Sequence, residues 1–291
     1  MSTDKLWRYV TLAPAVILFL ALTIIPMINL LALSFHEVEW VNRDAIWEFV
    51  GLHNYLKLAD DTLFHAGIWN TIVFAVTAVA IQMALGLGLA LLTTRVTRGR
   101  LFYRTVFILP ILVPGIIIGA IWKLLYSFDF GVFNQILMVF GLAPQDWLGS
   151  SDLALASVIV VDIWHWTPFC FLLLLAGLES LPEDIYEAAK IDGATAWQTL
   201  RNITLPLMIP TLIVTFIFRM ILAFKVFDEI YLLTGGGPGT STEVISFTIY
   251  RRFFTEDQAG YGSAVSVATF TVIALLIAIA SRFARKRGEA A

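Results

Sequence analysis

Cysteine occurs once in this chain, at Cys170, so no intrachain disulfide framework can staple it. Its four histidines, His36, His53, His65 and His165, stand at no spacing that would pair them as metal ligands. There is no Gly-Lys dipeptide. That removes a Walker-type phosphate loop, despite the run Thr234-Gly235-Gly236-Gly237-Pro238-Gly239, which reads instead as a tightly turning connection. No serine sits in a Gly-x-Ser-x-Gly elbow. Charged residues are scarce, at 14%, and a net charge of −3 gives no reason to expect a nucleic-acid partner. Nothing among these features supports an enzyme, and no bound cofactor is expected in this chain.

What the chain has in excess is apolar sequence. Hydrophobic residues make up 59% of it and the mean hydropathy is +0.83, far above an ordinary soluble domain. Runs long enough to span about 20 residues of hydrocarbon lie near 9–34, 68–92, 102–126, 153–178, 207–233 and 263–283. The expectation is an all-α integral membrane protein of six transmembrane helices, forming one domain over 1–291. The first run follows Lys5 and Arg8 like a signal peptide but exceeds the usual 7–15-residue apolar core, so it is read as a retained span. Orientation comes from the cations. With both termini inside, twelve Lys and Arg fall on inner segments, against four outside: Arg43, Lys57, Arg251 and Arg252. Both termini are therefore expected in the cytoplasm. The first outer loop, about 35–67, carries Trp40, Trp47 and Tyr55 and reads as interfacial, with a docking surface for an external partner as the alternative.

Within the spans, Gly86, Gly88, Gly115 and Gly119 suit close helix crossings. Pro110 and Pro114 should bend the third span. The fourth contains Asp162, Trp164, His165 and Trp166, and the fifth contains Arg219, Lys225, Asp228 and Glu229. A carboxylate in mid-span costs about 2.5–3.5 kcal/mol on insertion scales, so Asp162 should face protein or a wet cavity. Two readings stay open for Asp162, His165 and the neighbouring tryptophans: an interhelical contact or aromatic belt, with Arg219 a candidate partner for Asp162, or the lining of a water-filled cavity. Lys225 precedes Asp228 and Glu229 by three and four residues, so a local ion pair on one helix face is expected.

Between the fourth and fifth spans lies a polar stretch of 28 residues, Glu179 to Pro206. Ser180 followed by Glu183 reads as a capping box, starting a helix at Leu181 that Gly193 can end. That helix would be roughly 18 Å long. A second short helix is expected from about Thr195 to Asn202, before Pro206 opens the next apolar run. A plain connector would be far shorter.

The order Glu187-Ala188-Ala189, three residues, Gly193, nine residues, Ile203, one residue, Leu205-Pro206 resembles the EAA loop of the permease subunits of bacterial binding-protein-dependent ABC importers. Asp192 and Ala194 complete the Glu-Ala-Ala-x-Ile-Asp-Gly-Ala variant of the carbohydrate-uptake branch, and Phe227-Asp228-x-Ile-Tyr231 with Thr234 and Pro238 resembles its maltose and glycerol-3-phosphate permeases. The resemblance implies that the helix couples to a cytoplasmic ATPase subunit present in two copies, with Glu187 facing a basic residue of that ATPase. ATP and magnesium would bind the ATPase alone. It further implies a second six-span permease, a periplasmic solute-binding protein, a place in the bacterial inner membrane among its lipids, and a sugar-like solute: saccharide, polyol, glycoside or glycerol phosphate. Asp162, Trp164, His165, Trp166, Arg219 and Asp228 are the candidates for the solute path. An ion-coupled secondary transporter is the alternative; it would carry inverted repeats, and none is evident.

Overall fold

The computed structural model describes residues 3–41, 44–96 and 98–288. Arg43, and the extreme ends of the 1–291 domain, lie outside the described residues. In chain order come α1 (Thr3–Ser34), β1 (His36–Val41), β2 (Asp44–Phe49), α2 (His53–Lys57), α3 (Thr62–Arg95), α4 (Arg100–Ile108) and α5 (Gly115–Leu125). There follow α6 (Val132–Val139), α7 (Ala154–Glu179), α8 (Glu183–Ile191), α9 (Ala196–Thr199), α10 (Leu205–Phe224), α11 (Asp228–Leu233), α12 (Ile245–Tyr250) and α13 (Ala259–Gly288). Among the described residues five helices are long and apolar enough to cross a membrane, and a sixth is reached if the bent pair α4–α5 counts as one span. Ile17 and Leu22 on α1 and Val76 on α3 are apolar yet exposed, which suits lipid or a partner chain rather than water.

The bend between α4 and α5 is 93°. Its cause is local. Pro114 forces the residue before it out of the helical region, and Val113 accordingly takes ψ 124°, between a short 3₁₀ turn at Leu109–Leu112 and the start of α5. Gly119 allows the close crossing expected of it, since a Cβ there would lie 2.6 Å from the Cβ of Leu232 on α11.

Four expectations need correction. The fold is not purely helical: the segment read as an interfacial loop holds an antiparallel hairpin, β1 with β2, whose first strand alternates polar and apolar residues over Glu37–Trp40. Ser180 does not cap α8. The fourth span runs on to Glu179, so Ser180 is its C-cap and its hydroxyl donates back to the Gly177 carbonyl at 2.8 Å, leaving Pro182 as the residue before α8. The second short helix does not stop near Asn202: a wide π turn at Leu200–Thr204 joins α9 to α10, which carries Pro206 in its first turn. Finally, α10 ends at Phe224. Lys225 is its C-cap and Asp228 begins α11, so the helical spacing that would have paired Lys225 with Asp228 and Glu229 is lost.

Two compact units are distinguished, one built from the residues up to Phe64 with Thr248–Val272, the other from His65–Phe247 with Ile273 onward. In the first, Asp61 caps α3: its carboxylate accepts from the N–H groups of Leu63 (2.9 Å) and Phe64 (3.2 Å), from Arg252 (2.8 Å) and from the Tyr261 hydroxyl (2.7 Å). In the second, Cys170, Phe171, Leu174 and Leu175 of α7 pack with Ala90 and Met208. Gly86 lets α3 touch the backbone of α7 there, where a Cβ would meet that of Cys170 at 2.8 Å.

Candidate functional site

Two groups of residues in the second unit carry chemistry. The first surrounds α8, a helix of nine residues with Glu183 and Asp184 in its first turn and Lys190 in its last, each placed to suit the helix dipole. Its end is a Schellman motif. Gly193 N–H donates to the Lys190 carbonyl (3.1 Å) and Ala194 N–H to that of Ala189 (2.9 Å), a closure that needs the left-handed φ of +72° taken by Gly193. Thr195 with Gln198 forms the capping box that opens α9.

One face of α8 (Glu183, Tyr186, Glu187, Lys190) lines a cleft of about 1060 Å³. The guanidinium groups of Arg100 and Arg104, at the start of the third span, both donate to the Glu179 carboxylate at the end of the fourth, on the rim of that cleft. The Tyr186 hydroxyl donates to Thr204 Oγ1 at 3.1 Å and ties α8 to the π turn. Of the EAA-loop residues, Glu187, Ala188, Asp192, Gly193 and Pro206 are exposed, Ile203 and Leu205 half-buried, and Ala189 buried. Ile191 and Trp197 are exposed apolar residues on the same loop.

The second group lies inside the spans. Arg219 of α10 is 0% exposed and Asp162 of α7 is 1% exposed. They form an ion pair, and Gln82 of α3 completes it: the Arg219 Nε–H donates to Gln82 Oε1 (2.7 Å), while Gln82 Nε2 donates to the Asp162 carbonyl and carboxylate, both at 2.9 Å. The guanidinium also lies over the Trp166 ring, 5.2 Å from its centre. Three residues beyond Asp162, His165 Nδ1–H donates to Glu229 Oε1 of α11 at 3.0 Å, with both side chains buried.

The six path candidates therefore do not converge on one surface. Asp162, His165 and Arg219 are buried in pairs, Trp166 is half-buried beneath Arg219, Asp228 is exposed against Gly115, and Trp164 is 42% exposed with its ring edge-on to Trp122 at 5.6 Å. The Asp162–Arg219 pairing offered from the sequence is present. Gln82 was missed, although a lone amide inside an apolar span is itself a signal. Among the described residues no group of three or more His, Cys, Asp or Glu could hold a metal ion.

A sequence profile of the binding-protein-dependent transport system inner membrane components matches residues 82–288. The chain is 39% identical over 266 residues to the trehalose/maltose transport system permease protein MalF of Thermococcus litoralis, covering 91% of this chain and 89% of that one. It is 34% identical over 284 residues to the sulfoquinovosyl glycerol transport system permease protein SmoG of Agrobacterium fabrum, covering 98% and 92%. Among solved structures, a chain of a bacterial ABC transporter involved in the import of the acidic polysaccharide alginate superposes with a TM-score of 0.85 at 27% identity, over 97% of this chain and 96% of that one.

Proposed function

Since this chain belongs to the family of binding-protein-dependent transport system inner membrane components, and among them to the sugar permeases of ABC importers, we propose that it forms half of a sugar path worked through α8 by a separate ATPase. The observation that carries this reading is the nine-residue α8 itself, closed by Gly193 between two spans. A helix so capped at its end can transmit a push, where a loose connector would absorb it. In this reading α8 and both termini are cytoplasmic, α8 seats on one of two ATPase copies that hold ATP and magnesium, and Glu187 meets a basic group there. Ala188 and Ala189 keep the backbone approach close, and Ile203, Leu205 and Pro206 pass the motion to α10. Residues 1–291 act as one transmembrane domain beside a second, similar permease, and a periplasmic binding protein delivers the solute.

A saccharide is recognised through aromatic faces and hydroxyl-bonding groups. Trp164 is the aromatic residue of α7 best placed for it, because its ring is partly exposed while Trp166 already stacks under a guanidinium. Arg219 is neutralised by Asp162, so its charge is not free to select an anionic solute. The test is uptake of labelled sugars into proteoliposomes holding both permeases and the ATPase, with ATP inside and binding protein outside. Uptake should require all four components, and the sugar taken up names the substrate. Uptake that persists without the ATPase, driven by an ion gradient, would overturn the reading.

A further inference from the structure

The two buried charge pairs on α7 have no part in the function proposed above, and their placement gives them one. At about 100° per residue, Asp162, His165 and Trp166 fall within an arc of about 100° on the helix, and Trp164 lies about 200° round from Asp162, on the other side. The fifth span is interrupted at Lys225, and each side of the interruption is gripped separately: α10 through Arg219 on Asp162, α11 through Glu229 on His165. The interruption is itself fixed, because the Ser246 hydroxyl donates to the Val226 carbonyl that the broken helix leaves free. Gln82 bonds Asp162 and Arg219 together, so the two charges of the first pair are held to each other and to a third side chain inside the protein.

We propose that Asp162–Arg219 and His165–Glu229 are a rotational clasp that fixes the azimuth of α7 and so turns Trp164 toward the solute path, making these four positioning residues rather than solute contacts. Apolar packing holds a helix by shape alone, because its contacts are non-directional. Two directional charge pairs aimed at two different segments admit one azimuth only. The small residues agree with that azimuth: Gly86 takes the α7 backbone at Cys170, and Gly177 of α7 takes Thr211 of α10, where a Cβ would lie 2.6 Å from a Thr211 methyl. The inference deepens the proposed function and rests on its reading of Trp164.

The experiment uses the whole complex, with this chain's one thiol removed by Cys170→Ala, its partners made cysteine-free, and a reporter introduced by Trp164→Cys. A water-soluble charged thiosulfonate should modify that cysteine readily with the native clasp. Adding Glu229→Leu should slow the reaction at least about tenfold, the size expected for losing a hydrogen bond to a charged group. Glu229→Gln keeps an acceptor for His165 and should restore it. With Trp164 in place, Glu229→Leu should raise the solute concentration for half-maximal uptake by a similar factor while leaving the maximal ATPase rate near native. Equal modification rates with and without the Glu229→Leu change would overturn the clasp and leave the path reading standing. No modification even with Glu229 present would overturn the path placement of Trp164, and the inference with it.

Discussion

Arg219 meets a carboxylate, an amide and an indole face at once, with none of its surface exposed. Removing one member of such a set leaves the others buried and uncompensated. Arg219→Gln should destabilise the folded permease by about 3–5 kcal/mol, the usual cost of stranding one partner of a buried pair. The double change Asp162→Asn with Arg219→Gln should recover most of that loss, because amides can bond one another neutrally. Thermal unfolding in detergent measures both, and equal losses for the single and double variants would count against the pairing. At this scale much was legible beforehand. Asp162 and Arg219 stand out because charge inside an apolar run needs a partner, and Gly193 stands out because only a glycine readily takes the φ its turn requires. The bond from His165 to Glu229 was not legible, since the sequence offered Glu229 a nearer partner in Lys225. That partner needs an unbroken helix, and Lys225-Val226-Phe227 contains neither glycine nor proline to announce the break.

Elements were read well where proline or a cap residue dictated them and poorly where neighbours did. Pro114 gave the bend of the third span through Val113, a purely local effect. Ser180 and Glu183 gave a false capping box because α7 runs to Glu179 and takes Ser180 for its own end. The cap of α3 was missed because Asp61 was read into the outer loop, although its bonds to Leu63 and Phe64 are local; its partners Arg252 and Tyr261 come from far along the chain. Burial alone would raise the Asp61 carboxyl. The Tyr261 hydroxyl, the Phe64 N–H and the Arg252 guanidinium outweigh it and hold the carboxyl below its ordinary value. A lowered folded value means that the cap contributes fully above the unfolded carboxylate pKa of about 3.9. Its contribution is then lost as pH falls through the lower folded value. Hydrogen exchange at Leu63 and Phe64, corrected for its intrinsic pH dependence, should stay slow from neutral pH down to about 4 and quicken below that. Asp61→Asn should weaken the protection above about pH 4 and abolish its pH dependence.

For the whole molecule, composition placed the chain in a membrane, and the spacing from Glu187 to Pro206 placed it in a family that the profile match and relatives now show. The solute was not legible, because relatives of comparable similarity carry names as different as trehalose/maltose and sulfoquinovosyl glycerol, and in the function proposed here the path is shared with a second permease. The central claim is that α8 transmits work from a partner ATPase. It is tested most directly by the ATP hydrolysis rate of the reconstituted complex, with and without solute-loaded binding protein, for the native chain, Glu187→Ala and Gly193→Pro. The native complex should be stimulated by the loaded binding protein. Gly193→Pro, whose ring cannot adopt the φ of +72° found here, should assemble yet lose the stimulation, and Glu187→Ala should lose most of it. Native-like stimulation in both variants would contradict the account.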